Sequence, residues 1–231
     1  MSDLLLDIDL DFFFAPPKYH PGELHPDHFK PWISPQDFME RLAALGIKMP
    51  PLEAFGIVDH RQAFFCWKRA RCRNAIIVHF DAHSDCYPSF PEIVHCGNFL
   101  RKAISEGIAS RIVWVLPAWF YHNPDHPLAS DALNSVGRAV YQALPLKVFS
   151  FTELSAAAEP SFSGAVPRMV TLVLSISYVP ESAFESHFVP LAKAFGIGHP
   201  WAPFSPPKRK TPPKRKRTGG KAPLGIEVLV S

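Results

Sequence analysis

The stretch HFDAHSDC, which starts at His79, places chemically reactive side chains at every second position. His79, Asp81, His83 and Asp85 share one parity, so in an extended segment they would face the same way. The preceding residues 75–78 are apolar and typical of a buried strand, where an unpaired charge is costly. Oxygen ligands together with imidazole suit Mn, Fe, Zn or Co, so the pattern predicts a metal site.

A second acidic stretch, LDIDLDFF, lies near the N-terminus. Asp7, Asp9 and Asp11 again share one parity, and apolar residues flank them on both sides. Three carboxylates this close repel one another and cannot all stay ionised in a dry environment without a counter-charge. A divalent cation would supply that charge, so both stretches predict the same kind of site.

Two further stretches contribute weaker candidates. VDHRQ places His60 in the first turn of a predicted helix, just after its cap Asp59. HCGNF places His95 and Asn98 in a loop that leads into another predicted helix. Each has an ordinary alternative, because a surface histidine and a Gly-Asn turn need no ligand. DAHSD has one as well, since Asp81 or Asp85 could cap a helix.

The elements that must position these residues follow from the apolar pattern. Strands are predicted at 4–12, 74–80, 111–117, 146–151 and 169–177, and helices at 34–46, 59–70, 97–107, 131–144 and 181–196. Continuous apolar strands that alternate with helices indicate a mainly parallel sheet covered on both faces. We therefore expect a three-layer α/β/α fold. Its ligand site should lie beyond the carboxyl ends of the strands, where the acidic residues fall.

Charge divides the chain into two parts. Residues 203–221 hold eight Lys or Arg and no acid, and removing these eight charges from the net +3 leaves −5 for the remainder. We predict a domain over residues 1–202 and a disordered basic tail over 203–231. The tail would contact an anionic partner or nucleic acid, unless it is a solvated segment without a specific role.

Localisation is predicted from absent signals. No apolar run is long enough for a membrane span, and the first residues lack the basic start of a signal peptide. None of the four cysteines forms a CxxC pair. We expect a cytoplasmic protein with reduced thiols and no membrane partner.

Together these stretches resemble the ureohydrolases, the family of arginase and agmatinase. DAHSD is similar to their Asp-Ala-His-x-Asp motif and DIDLDFF to their Ser-x-Asp-x-Asp strand. VDHRQ resembles their Gly-Gly-Asp-His-Ser motif without its glycines, and HCGNF resembles their Ser-Gly-Asn loop. In arginases the Asp-x-Asp strand lies far downstream, whereas here it lies near the N-terminus. That order resembles the peptide arginases, which hydrolyse arginine side chains within a peptide to ornithine and urea.

The resemblance covers residues 3–185 and implies an arginase/deacetylase-like sheet. It also implies two Mn²⁺ per chain, with Zn²⁺ or Fe²⁺ as alternatives, and a hydroxide that both metals activate. The implied ligands of one metal are His60, Asp81, Asp85 and Asp9, and those of the other are His83, Asp81, Asp9 and Asp11. Asp7, where the family strand often has serine, and His79 would support these ligands. The abrupt change to the basic tail suggests that it replaces the family's last strand and helix, which would leave the sheet incomplete at the C-terminus.

The resemblance also implies roles around the metals. Asp11 would relay a proton to the leaving amine, and His95 would carry protons to solvent. Asn98 would contact the substrate, an arginine-containing peptide. Glu181 and Glu185, which follow a predicted strand, are the candidates for pairing with the guanidinium, with Glu181 taken first.

Two other functions stay open. A mononuclear zinc deacylase of the same fold would use tandem histidines as its base, and the sequence has no His-His pair. A metal-stabilised scaffold protein, tethered to an anionic partner by the tail, would explain why VDHRQ lacks the family's glycines. Metal content and urea release separate the three.

Overall fold

The computed structural model describes residues 2–16, 28–88, 90, 92–136 and 144–198. The strands are β1 (Leu4–Asp9), β2 (Phe14–Ala15), β3 (Lys30–Pro31), β4 (Glu53–Ile57), β5 (Ala75–Phe80), β6 (Ala109–Leu116), β7 (Leu146–Ser150) and β8 (Met169–Val173). Six of them form a parallel sheet in the order β4-β8-β1-β5-β6-β7, and β2 pairs with β3 in a separate antiparallel ladder. The helices are α1 (Pro35–Ala44), α2 (His60–Arg69), α3 (Phe99–Ser105), α4 (Trp119–His122), α5 (Pro127–Val136) and α6 (Val189–Ala194).

Alternating side chains of the central strands enter two different apolar layers. Leu4, Leu6 and Ile8 of β1 pack with side chains of α1 and α6 on one face of the sheet. Leu5 packs with side chains of α2 and α3 on the other face. Both faces are therefore covered by helices, and the predicted three-layer α/β/α fold is confirmed.

The start of α2 fixes the position of a candidate ligand. Asp59 caps the helix, and its Oδ1 accepts a hydrogen bond from Arg61 N at 2.8 Å. The side chain of Gln62 accepts from the backbone N–H of Asp59, which completes a reciprocal capping box. His60 is thereby held as the first residue of the helix, as the sequence predicts.

The strands differ from the predictions mainly in three places, the first being that β8 ends at Val173 instead of residue 177. β1 ends at Asp9 instead of residue 12, because Asp9 Oδ1 accepts from Asp11 N at 2.9 Å and turns the chain into a 3-10 helix over Leu10–Phe13. β4 was not predicted, since its sequence EAFGI contains glutamate and glycine, which are uncommon in strands. It forms by parallel pairing along the whole length of β8.

The C-terminal half differs in detail. α5 begins earlier than predicted, and residues 137–143 of the predicted helix lie outside the described residues, as do the basic tail and the domain boundary at 202. The last predicted helix is a π-helical turn over Phe184–Phe188 followed by α6. Pro190 lies in the first turn of α6, where its missing N–H costs little. Within the described part of the chain, no helix reaches the length and apolarity that crossing a membrane requires.

A buried ion pair fastens the segment before β8 to the starts of β6 and β7. Glu159 is buried and accepts from Arg111 at 2.7 Å, from Lys147 at 3.1 Å and from Ser161 at 2.5 Å. Burial alone would raise the pKa of Glu159, but these three partners lower it below its ordinary value. The charged form is therefore stabilised by folding.

We expect Glu159→Gln to lower the free energy of unfolding at pH 7 by about 1–3 kcal/mol, because it weakens charge-assisted bonds in a buried place. Since the native pKa lies below the ordinary 4.5, the stabilisation is complete above that pH and is lost as pH falls through the native value. Urea unfolding at several pH values measures this. Glu106→Gln, which removes an exposed pair with Lys68, is the control. If the difference in free energy of unfolding between the wild type and Glu159→Gln persists undiminished well below pH 4, the prediction is contradicted.

Candidate metal centre

The candidate metal centre lies at the carboxyl edge of the sheet, where four adjacent strands end. Its residues, called here the Asp/His cluster, are Asp9, Asp11, His60, Asp81, His83 and Asp85. They come from the end of β1 and the turn after it, from the start of α2 after β4, and from the segment after β5. The structure thus brings together all six residues that the resemblance implies as ligands.

His60 lies among three carboxylates. Its Nε2 is 2.5 Å from Asp9 Oδ2 and 3.5 Å from Asp81 Oδ2, and its Nδ1 is 2.7 Å from Asp85 Oδ2. All four side chains are buried. Asp85 reaches this position with a left-handed backbone at φ 46°. This group corresponds to the ligand set of the first implied metal.

A second group surrounds His83. Its Nδ1 lies 2.9 Å from Asp11 Oδ2 and 3.4 Å from Asp81 Oδ1. One ligand atom of each of these three residues lies within 4.8 Å of the other two. Asp81 therefore faces His60 with one oxygen and His83 with the other, as a ligand shared by two ions would.

These close approaches are not ordinary hydrogen bonds. Among the described residues, Asp11 Oδ2, Asp81 Oδ2 and both ring nitrogens of His60 are buried without a hydrogen-bond partner. A buried polar atom left unpaired costs roughly 1–3 kcal/mol, so several of them converging in one place require an explanation. Oxygen and imidazole donors that point at a common space fit a divalent transition metal. The cluster could therefore hold a metal ion.

The electrostatics of the cluster indicate a missing positive charge. Burial, then the neighbouring Asp11 and Asp9, raise the pKa of Asp81 well above its ordinary value. Burial and Asp9 also raise the pKa of Asp11. Burial opposes protonation of His60, but Asp9 and Asp85 raise its pKa well above its ordinary value. The charged forms of Asp11 and Asp81 are therefore disfavoured, and a bound cation would favour them.

A polar row crosses the middle of the sheet beneath the cluster. Asp7 is aligned with His79 of β5 and with Thr171 of β8, and all three are fully buried. Asp7 accepts from Thr171 Oγ1 at 2.5 Å and from His79 Nδ1 at 2.9 Å. His79 Nε2 donates to the carbonyl oxygen of His83 at 3.2 Å and lies 3.3 Å from Asp81 Oδ2.

This row assigns a supporting role to His79. Its Nδ1 contacts Asp7 and its Nε2 contacts the carbonyl oxygen of His83, so both ring nitrogens already have hydrogen-bond partners. Burial opposes a charge on this ring, but Asp81 and the hydrogen bond that His79 donates to Asp7 raise the pKa of His79. Although His79 lies close enough to be a ligand, it instead orients the segment that carries Asp81 and His83.

Sequence reasoning missed two hydroxyl groups that belong to the site. Ser175 follows β8 and donates to Asp9 Oδ2 at 2.5 Å from a left-handed backbone at φ 44°. Thr171 supports Asp7 as described above. Both residues belong to an apolar stretch that the sequence predicts as a strand. Their contact with the acidic strand depends on the strand order, which cannot be read from one sequence.

A cavity of about 420 Å³ opens above the Asp/His cluster. Its floor includes Asp9, Asp11 and Asp85, and Asp59 adds a further carboxylate to the wall. None of the described lining residues is a lysine or an arginine. The volume is in the range of small-ligand sites, and the charge favours a cationic ligand.

The remaining predicted site residues have different positions. His95 lines the cavity, and its Nδ1 accepts from Gly97 N at 3.2 Å. Asn98 was predicted to contact substrate, but it is buried outside the cavity lining, and its amide donates to the carbonyl oxygens of Phe90 and Ile93. Glu181 is exposed and does not line the cavity. Asp59 lines the cavity, but its carboxylate already accepts from Arg61 N at 2.8 Å and pairs with the Arg61 side chain at 3.0 Å.

No protein-family model, curated protein or solved structure matches this chain. The function is therefore argued from the geometry of the cluster and the cavity.

Proposed function

We propose that this chain is a metal-dependent hydrolase that cleaves the guanidinium group of an arginine side chain within a peptide, giving ornithine and urea. The observation that carries the proposal is the buried set of converging, unpaired carboxylate and imidazole atoms below an acidic cavity. The likeness of DAHSD and DIDLDFF to ureohydrolase motifs supports the same reaction.

The cluster offers donors for two cations, and we propose two Mn²⁺ per chain. His60 with Asp9 and Asp85 forms one side of the cluster, and His83 with Asp11 forms the other. Asp81 lies between these two sides of the cluster and would be a ligand for both cations. Because carboxylates outnumber imidazoles, manganese suits the donor set better than zinc or iron, which are the alternatives.

A bound pair of divalent cations would lower the pKa of a shared water, so that it becomes a nucleophile at neutral pH. The guanidinium carbon is a poor electrophile because its charge is delocalised, which is why the reaction needs such help. The water oxygen ends on the urea carbon, the carbon–nitrogen bond to the side chain breaks, and the leaving amine takes up a proton.

Asp11 is the residue that we assign to this proton transfer. Its carboxyl lies beside His83 at 2.9 Å and lines the cavity, so it can accept a proton from the activated water and pass it on. The proton can therefore pass to the leaving nitrogen from a group already in the cavity floor.

The cavity favours arginine in a peptide over free arginine. Free arginine carries an α-carboxylate, and the described lining residues include several carboxylates and no lysine or arginine to pair with it. Leaving such a charge unpaired in a partly desolvated site is costly. In a peptide the same atoms are neutral amides, and only the guanidinium is charged.

Metal content and urea release test the proposal directly. The full chain, refilled with manganese, should hold about two manganese ions per chain and release urea from an arginine-containing peptide. Asp125→Asn, which changes an exposed aspartate far from the cluster in sequence, should leave both values unchanged. A single bound zinc without urea release would favour the deacylase, and binding of metal without any reaction would favour the scaffold protein.

His95 gives a separate prediction about proton movement. Because its Nδ1 accepts from Gly97 N, its Nε2 carries the proton and can exchange it. We expect His95→Ala to lower kcat at least about tenfold with the manganese content unchanged, and added imidazole to restore part of the rate. His122→Ala, which changes an exposed histidine of α4, is the control. An unchanged kcat would remove His95 from the mechanism.

A further inference from the structure

We propose that four exposed apolar side chains at the mouth of the cavity bind apolar residues that flank the target arginine in its peptide. These side chains, called the apolar rim, are Phe90, Ile93, Ile176 and Tyr178. The inference rests on the proposed function, because it specifies which peptides the cavity accepts.

The exposure of the apolar rim is unusual for this chain. Phe90 is 68%, Ile93 58%, Ile176 67% and Tyr178 55% exposed. Among the described residues only eight large hydrophobic side chains are exposed, and half of them belong to these two short loops. Single exposed apolar residues are ordinary, but a group that surrounds a cavity marks a binding surface.

Both loops of the apolar rim border the cavity. Ile176 and Tyr178 line it, and the ring centroid of Tyr178 lies 5.1 Å from that of His83. On the other loop, the ring centroid of Phe90 lies 6.0 Å from that of His95, which also lines the cavity. The exposed apolar side chains therefore lie next to the residues that line the cavity.

Hydrogen bonds made by Asn98 and Ser175 hold the two loops in place. Asn98 donates to the carbonyl oxygens of Phe90 at 3.2 Å and Ile93 at 2.9 Å, and its own carbonyl accepts from His95 N. On the opposite loop, Ser175 bonds Asp9, and Tyr178 N donates to Ser175 O at 2.9 Å. The apolar rim is therefore largely preformed, which reduces the entropy lost on binding.

These features together describe the occupant. The proposed reaction places one guanidinium above the floor, while the mouth offers apolar surface that would not favour a charged or strongly hydrated neighbour. A peptide with a central arginine and apolar residues on either side matches both. Burying one leucine-sized side chain at the apolar rim should strengthen binding by about tenfold or more.

The experiment compares two peptides of equal length, with the core Leu-Arg-Leu or Ser-Arg-Ser. Binding is measured by fluorescence anisotropy to the metal-free full chain, where no turnover occurs, and urea release is measured with the manganese-loaded chain. We expect the leucine peptide to bind about tenfold more tightly and to have a correspondingly lower KM.

A double variant, Phe90→Ser with Ile176→Ser, should remove this preference. Both positions are exposed, so the change should not impair folding. The control is Leu52→Ser, an exposed leucine just before β4 at the opposite edge of the sheet, which should keep the preference.

The two measurements separate this inference from the proposed function. Tighter binding of the leucine peptide without urea release would support the apolar rim and overturn the proposed reaction. Urea release with equal binding of both peptides would overturn the apolar rim alone, and so would an unchanged preference in the double variant.

Discussion

The Asp81→Asn variant should fail to bind manganese, and its kcat/KM should fall at least about a thousandfold. Asp81 is the residue that faces both His60 and His83, so its loss removes a donor from each group. Bound metal contributes several kcal/mol to such a reaction, and each 1.4 kcal/mol corresponds to a factor of ten. Elemental analysis and urea release measure the two losses on the same preparation.

Thermal unfolding provides the internal control for this variant. Removing one of the crowded carboxylates relieves repulsion, so the metal-free variant should melt no lower than the metal-free wild type. Manganese should raise the Tm of the wild type and leave that of the variant unchanged. If the variant keeps two manganese ions, Asp81 is not a shared ligand and the proposed arrangement of the centre is wrong.

His79→Phe should weaken manganese binding by about 10–100-fold although every proposed ligand is retained. The substitution removes the ring that connects Asp7 to the segment bearing Asp81. It also leaves Asp7 buried without its cationic partner, which should lower the free energy of unfolding by about 3–5 kcal/mol. Manganese titration and urea unfolding measure the two effects.

A second variant separates positioning from stability. Asp7→Ser combined with His79→Phe removes both members of the pair, so no charge is left unpaired and most of the stability should return. The affinity for manganese should stay low, because nothing orients Asp81. Recovery of affinity along with stability would show that the pair serves only the fold.

Much of the fold could be predicted from sequence because its signals are local. The cap Asp59 and the apolar run before His79 indicate a helix and a buried strand without reference to any distant residue. β4 was missed for the opposite reason. Its residues favour a strand weakly, and it forms because β8 offers a parallel edge, which is a tertiary effect.

The predictions for the candidate site also separate into those with a local sequence signal and those without one. Alternation and the ends of apolar runs predicted Asp9, Asp11, Asp81, His83 and Asp85 as candidates at one sheet edge. The grouping of these residues with His60 as one ligand set came from the resemblance to the ureohydrolase motifs. The predictions for Asn98 and Glu181 depended on loop orientation, which spacing does not determine. The Asn98 amide bonds to carbonyl oxygens of the preceding loop, and Glu181 is exposed and does not line the cavity.

The strand order also has a consequence for the sequence of events during folding. Among the described residues β8 is the last strand in sequence, yet it lies between β1, which carries Asp9, and β4, which leads to His60 at the start of α2. During synthesis these two ligands have emerged long before the strand that must separate and align them. Because β8 pairs with both of these strands, we expect the cluster to reach its final geometry only once β8 has been inserted, so metal binding would mark completion of the sheet.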